Sequence, residues 1–280
     1  MKLIFRPSLA ALLGLGLCAS AFAETEKPQS IAFAGGALTI TQKEEYGEKT
    51  LSFGDKELAS AYVIYFDQIA RLGDTEVALF DVGDGGNACG PAKVLVWKGD
   101  NDAIQRASIG EEDCGAPVTA VASDWIYFVP WLMPGTSGVV KRWTPQDGFT
   151  TAGELVYAPE AGTTWKDFNP DRLGSMLEAF QNEAVYAQAK ELLGDRLEEV
   201  ATSLMVSAEP EKTASGLIYG DGCIPHACGT YDGFMAVDAA SQKLYLARQT
   251  DGKSPETWPE AGTWPADLRQ TMEKALAKSE

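Results

Sequence analysis

The one histidine of the 280-residue chain, His226, lies in the segment Cys223-Ile224-Pro225-His226-Ala227-Cys228-Gly229. Imidazole can donate, accept or carry a positive charge near neutral pH, so the way it is held decides what it can do. Pro225 fixes φ immediately before it. A disulfide between Cys223 and Cys228 would close a six-residue ring and restrict both ends. Gly222 and Gly229 suit sharp chain reversal on either side. The segment reads as a stiff, protruding loop that presents one imidazole, and such preorganisation lowers the entropy lost on binding. A stapled hairpin turn with an incidental histidine is the competing reading, because any short Cys-x-x-x-x-Cys loop can serve as a staple.

Other chemistry finds little support. A single histidine excludes a two-histidine metal motif. No Gly-x-Ser-x-Gly elbow, phosphate-binding glycine loop or dinucleotide fingerprint is present, so no catalytic residue and no cofactor is assigned. Asp81, Asp84 and Asn87 are closely spaced, but they lack the ligand order of a calcium loop and read as a tight Gly/Asp turn; no metal is expected. Glu111, Glu112 and Asp113 read as a solvated loop. Carboxylates are plentiful enough to hold a glycosidase-like acid pair, which keeps an enzyme as the lowest-ranked reading. Seven Trp and nine Tyr raise carbohydrate stacking, but most of them lie in strand-like runs where core packing is the default.

The N-terminus reads as an export signal. Lys2 and Arg6 precede the apolar run Leu9–Leu17, and Ala21-Phe22-Ala23 forms a small-x-small cleavage site, so residues 1–23 are expected to be removed and the protein to be periplasmic or secreted. The run is too short to span a bilayer, and no later apolar run has spanning length. Loss of two basic residues takes the formal charge from −17 to −19. Such acidity argues against nucleic acid and anionic lipid as partners and favours a basic macromolecule. Four cysteines remain, and an even count in an exported chain reads as two disulfides. Three connectivities are possible; their positions favour Cys89 with Cys114 and Cys223 with Cys228. Loop entropy assigns roughly 3.5 and roughly 2 kcal/mol to these pairs.

The elements that must position the loop fall into two textures. From residue 31 to about 155, short β-branched or aromatic runs such as 62–66, 77–80, 93–97, 125–129 and 139–143 alternate with Gly/Asp/Pro turns, which predicts antiparallel β structure of sandwich or barrel type. After Glu160 the pattern becomes helical. Asn169-Pro170-Asp171 reads as a helix start carrying Leu173, Met176, Leu177 and Phe180. A second helix is predicted from about Glu183 to Val200, strands at 203–207, 217–219, 234–237 and 244–247, and a last helix after Pro265. The fold class is therefore α+β: residues 24–155 a β-rich domain, residues 156–280 an antiparallel sheet flanked by helices. The stretch Pro159-Glu-Ala-Gly-Thr163 recurs as Pro259-Glu-Ala-Gly-Thr263 and reads as a reused turn.

The segment Cys-x-Pro-His-x-Cys-Gly between two strands resembles the signature loop of the inhibitor of vertebrate lysozyme (Ivy) family. The resemblance covers about residues 165 to 280 and is specific over the loop alone. It implies a periplasmic protein whose disulfide-closed loop enters the active-site cleft of a lysozyme-type muramidase. Carried over by position, Cys223 and Cys228 form the loop disulfide, Pro225 shapes the loop, His226 is the inserted residue, and Ile224, Ala227 and Gly229 complete the lysozyme-binding segment. The best-known members carry Lys and Asp where this chain has Ile224 and Ala227. That difference motivates a second reading, in which an Ivy-like scaffold recognises another envelope enzyme or peptidoglycan itself.

Overall fold

The computed structural model describes residues 28–85, 89–112, 115–251 and 253–277. The expected signal segment 1–23, Asn87, Asp113 and Cys114 lie outside them. The N-terminal region is three successive four-stranded antiparallel meanders. The first comprises β1 (Gln29–Phe33), β2 (Gly36–Gln42), β3 (Lys49–Phe53) and β4 (Lys56–Ala61). The second comprises β5 (Val63–Leu72), β6 (Thr75–Gly83), β7 (Ala92–Lys98) and β8 (Ile104–Ile109). The third comprises β9 (Val118–Val121), β10 (Ile126–Val129), β11 (Ser137–Thr144) and β12 (Gly148–Val156).

The middle meander is buried on both faces. Ile64, Ala78, Phe80, Val94 and Val96 pack on Leu38, Leu51 and Leu58 of the first sheet. Val77, Leu79, Leu95 and Trp97 face Ile126, Phe128 and Trp143 of the third. This explains the unbroken apolar runs of β6 and β7, since a strand covered on both sides has no solvent face to alternate with. One charge is taken into this layer. Lys93 on β7 is 7% exposed and pairs with Asp81 at 2.6 Å and Asp67 at 2.9 Å. Burial opposes the ammonium charge, but the hydrogen bonds to Asp81 and Asp67 outweigh it and hold the group above its ordinary range.

The C-terminal region sets helices against one mixed-length antiparallel sheet. Two helices, α1 (Glu183–Leu193) and α2 (Leu197–Thr202), precede β13 (Val206–Ser207), β14 (Glu211–Lys212), β15 (Ile218–Cys223), β16 (Tyr231–Asp238), β17 (Lys243–Thr250) and β18 (Glu256–Trp258). The last helix, α3 (Ala266–Ala277), closes the described chain. The sheet order is β13-β15-β16-β17-β18, with β14 also on β15. One face packs Ile218, Met235, Val237 and Leu246 against α1 and α2. The opposite face packs Phe234, Ala236 and Tyr245 against Trp264, Leu268 and Met272. The expected α+β class, β-rich first and mixed second, is what the chain adopts.

Two predicted helices need correction. Asn169 does cap its turn, its side chain accepting from Asp171 N at 3.1 Å, but the helix stops after Arg172. Extended backbone at Ser175 separates it from a second short 3-10 turn over Met176–Gln181. The helix predicted over 183–200 is broken at Gly194, whose φ of 53° and ψ of −125° lie outside helical space. The repeated Pro-Glu-Ala-Gly-Thr stretch is one local solution used twice. Thr163 and Thr263 each donate their hydroxyl to the carbonyl three residues back, Glu160 and Glu260, at 2.7 Å.

Candidate functional site

The candidate loop joins β15 to the central strand β16 of the C-terminal sheet. The β15–β16 register runs from Ile218 opposite Val237 to Cys223 opposite Asp232. Close approach of the preceding segment fixes the base of this hairpin. Ser203 is fully buried, and a Cβ on Gly233 would lie 2.7 Å from its carbonyl oxygen, so β16 tolerates only glycine there.

Beyond Cys223 the ladder gains one more bond, Ile224 N–H to Tyr231 O at 3.0 Å. Ala227 N–H then donates to Ile224 O at 3.0 Å, which closes a four-residue turn with Pro225 second and His226 third. His226 has a φ of 62°. Proline second and a positive φ third define a type II turn, a geometry that usually places glycine or asparagine where this chain has histidine. A second turn follows at once: Thr230 N–H donates to Ala227 O at 3.0 Å, and Gly229 takes the positive φ of 85°. The Cys223–Cys228 disulfide, with Cα atoms 4.9 Å apart, ties the two turns together.

This wiring decides which side chains reach solvent. Cys223 is buried, and Ile224, Pro225, Ala227 and Gly229 are half-buried. His226 and Cys228 are exposed. The loop therefore offers the imidazole at its corner on a backbone held by hydrogen bonds and a covalent bond. Asp232 braces the second turn by accepting from Gly229 N–H at 2.9 Å. Asp251 N–H holds Thr230 O at 2.7 Å. Behind them Arg248 lies over the Tyr231 ring at 5.7 Å and 3.4 Å from Glu199. Asp232 and Arg248 were not singled out from sequence. The available signal was a lone carboxylate at the start of the apolar run Phe234–Val237, two positions from the loop's last glycine-flanked turn.

Cys89 is disulfide-bonded; Cys114, its expected partner, lies outside the described residues. Asp81, from the rejected calcium trio, is committed to Lys93. Among the described residues no group of three His, Cys, Asp or Glu side chains could hold a metal ion. No helix among them is long and apolar enough to cross a membrane. Trp97, Trp143 and Trp264 are core residues, all below one-tenth exposed, whereas Trp131 is 63% exposed and Tyr46, Tyr62 and Tyr65 are also exposed.

A disulfide-tied loop held by backbone hydrogen bonds loses little conformational entropy if it binds another molecule. Residues 184–278 match the family model of the inhibitor of vertebrate lysozyme (Ivy), so the resemblance carried by the Cys223–Gly229 segment holds for the C-terminal region. Residues 34–156 match a Y4bG N-terminal domain, which covers the three meanders apart from β1. The uncharacterized protein y4bG of Sinorhizobium fredii (strain NBRC 101917 / NGR234) is 25% identical over 234 residues, spanning 84% of this chain and 86% of that protein.

Proposed function

We propose that this protein is a periplasmic or secreted inhibitor of lysozyme-type muramidases, acting through the Cys223–Cys228 loop with His226 leading. The observation that carries the reading is the exposed His226 at the third position of a disulfide-closed type II turn. Such enzymes use two carboxyl groups, one protonated and one ionised. An imidazole can donate to the ionised carboxylate and meet the other as an acceptor, or as a donor once protonated. The loop body, including Pro225 and Ala227, then fills the space the sugar needs. The Ivy match over 184–278 and the acidic composition support a basic lysozyme as the partner. We assign this role to a domain of residues 156–280, with residues 24–155 a separate β-rich domain.

The test is inhibition of a hen-type lysozyme on cell walls by purified residues 24–280. Inhibition is expected at low salt, and His226→Ala is expected to weaken it at least tenfold with an unchanged melting temperature. An unaffected lysozyme rate at excess protein, together with no measurable binding, rejects the reading for that enzyme.

A second reading, recognition of peptidoglycan by the same scaffold, is favoured by Trp131. Its exposed ring borders a cavity of about 660 Å³ where the third meander meets the C-terminal region, also lined by Tyr157, Glu160, Glu178 and Gln181. A ring beside carboxylate and amide groups suits stacking on a neutral sugar. Retention of the protein on insoluble peptidoglycan, lost in Trp131→Ala and kept in His226→Ala, would select this reading.

A further inference from the structure

A second cavity, of about 450 Å³, lies against the base of the loop. The disulfide and Gly229 form one wall, and α3, through Ala275 and Leu276, forms another. Asp232 lines it, yet is only 4% exposed. Its Oδ1 accepts from Gly229 N–H, while Oδ2 is buried without a hydrogen-bond partner among the described residues. Ser207, also in the lining, has a buried Oγ without a partner among the described residues. A buried acceptor left unpaired is costly, so a group that supplies donors here is favoured. Asp221 adds an exposed carboxylate to the lining. Among the described residues no lysine or arginine lines the cavity.

Resting on the inhibitor reading above, we propose that this cavity receives the guanidinium group of an arginine side chain from the bound partner. The described lining offers carboxylate and hydroxyl acceptors and no cation, which disfavours anions. The metal alternative lacks a third ligand of the required type among the described residues. A guanidinium is planar and carries five donors, so it can satisfy Asp232 Oδ2 and Ser207 Oγ together while Asp221 offsets its charge. Val206, Ala275 and Leu276 supply apolar surface for the alkyl stem. The cavity shares Cys223, Cys228 and Gly229 with the loop, so a partner that takes His226 brings its neighbouring surface to the cavity mouth. The loop thus blocks the cleft while the cavity holds a basic residue beside it.

The first measurement needs no lysozyme. Ethylguanidinium chloride is titrated into ¹⁵N-labelled residues 24–280, with sodium chloride as the ionic-strength control. Saturable shifts of the Ser207, Cys228 and Gly229 amides are expected, and Asp232→Asn should abolish them. Asparagine keeps the Oδ1 acceptor for Gly229 N–H, so the brace survives the loss of charge. Asp221→Asn, at an exposed rim position, should weaken the titration about threefold with no effect on folding. Linear or absent shifts, or shifts unchanged in both variants, overturn the proposal. The second measurement is binding to hen-type lysozyme, where Asp232→Asn should cost at least tenfold in Kd. Equal binding by variant and wild type removes the arginine contact and leaves the inhibitor reading intact. No binding by either protein rejects the inhibitor reading for that enzyme, and the ethylguanidinium titration then decides the cavity alone.

Discussion

The backbone of His226 carries a cost that its side chain must justify. A non-glycine residue at a φ of 62° gives up about 1 kcal/mol relative to glycine, and strain of this kind concentrates where a side chain is needed. Glycine is the natural occupant of the third position of a type II turn. His226→Gly should therefore leave stability unchanged or raise it by up to about 1 kcal/mol, read as the midpoint of a denaturant titration. The same variant should lose inhibition as fully as His226→Ala. Inhibition retained by the glycine variant would show that loop shape alone blocks the enzyme. The sequence made much of this visible: Pro225, the flanking cysteines and Gly229 announce a stapled double reversal. It did not reveal the left-handed histidine, because proline fixes only the second position of a turn, and both common turn types accept it there.

Elements were legible where one periodicity ruled them and were misread where a stripe outlived its helix. Val185, Ala189, Leu193, Leu197 and Val200 all enter one core, so the apolar stripe runs unbroken from 183 to 200. The backbone nonetheless leaves helical space at Gly194 and resumes after a 3-10 turn. Packing kept the stripe while glycine allowed the break, and an isolated glycine inside a helical pattern was the one warning. A Cβ at Gly194 would meet no atom within 4 Å, so any penalty there comes from the backbone alone. Gly194→Ala should cost about 1–2 kcal/mol of stability by chemical denaturation. A neutral substitution would mean that α1 and α2 can fuse without loss to the core.

Tyr157 and Tyr186, with ring centroids 5.2 Å apart, join the end of the β region to α1. Burial, with the second phenol nearby, pushes the Tyr157 hydroxyl up to about 12. Burial and the hydrogen bond to Glu211 do the same for Tyr219, also to about 12. In the unfolded chain both groups ionise near pH 10. A folded pKa above the unfolded one gives stability that is complete below pH 10 and is lost as pH rises towards 12. Melting temperatures measured from pH 8 to 12 should hold level and then fall from about pH 10. Tyr157→Phe should shallow that fall, and an unchanged slope would show that the Tyr157 hydroxyl does not contribute to it.

On the scale of the whole molecule, the β region and the loop region answer to different signals. A sandwich or barrel was the expectation for the first 130 or so residues, since strand spacing reports neighbours within a sheet. It does not report how many sheets stack, and the middle meander became recognisable only through the residues on its two covered faces. Charge, by contrast, was readable from composition and acts over the whole surface. With 40 acidic against 23 basic residues, association with a basic enzyme is steered by the long-range field, whereas the loop acts only at contact. The two contributions separate kinetically. The association rate with hen-type lysozyme should fall at least tenfold between about 10 mM and 150 mM salt, as the screening length shortens from about 30 Å to about 8 Å. His226→Ala should leave that salt dependence intact and raise the dissociation rate instead, because removing one uncharged-to-cationic side chain from a strongly acidic protein barely alters its field. Stopped-flow traces of wild type and variant over the salt series give both rates. A variant defect confined to association would place His226 in the encounter and remove it from the cleft.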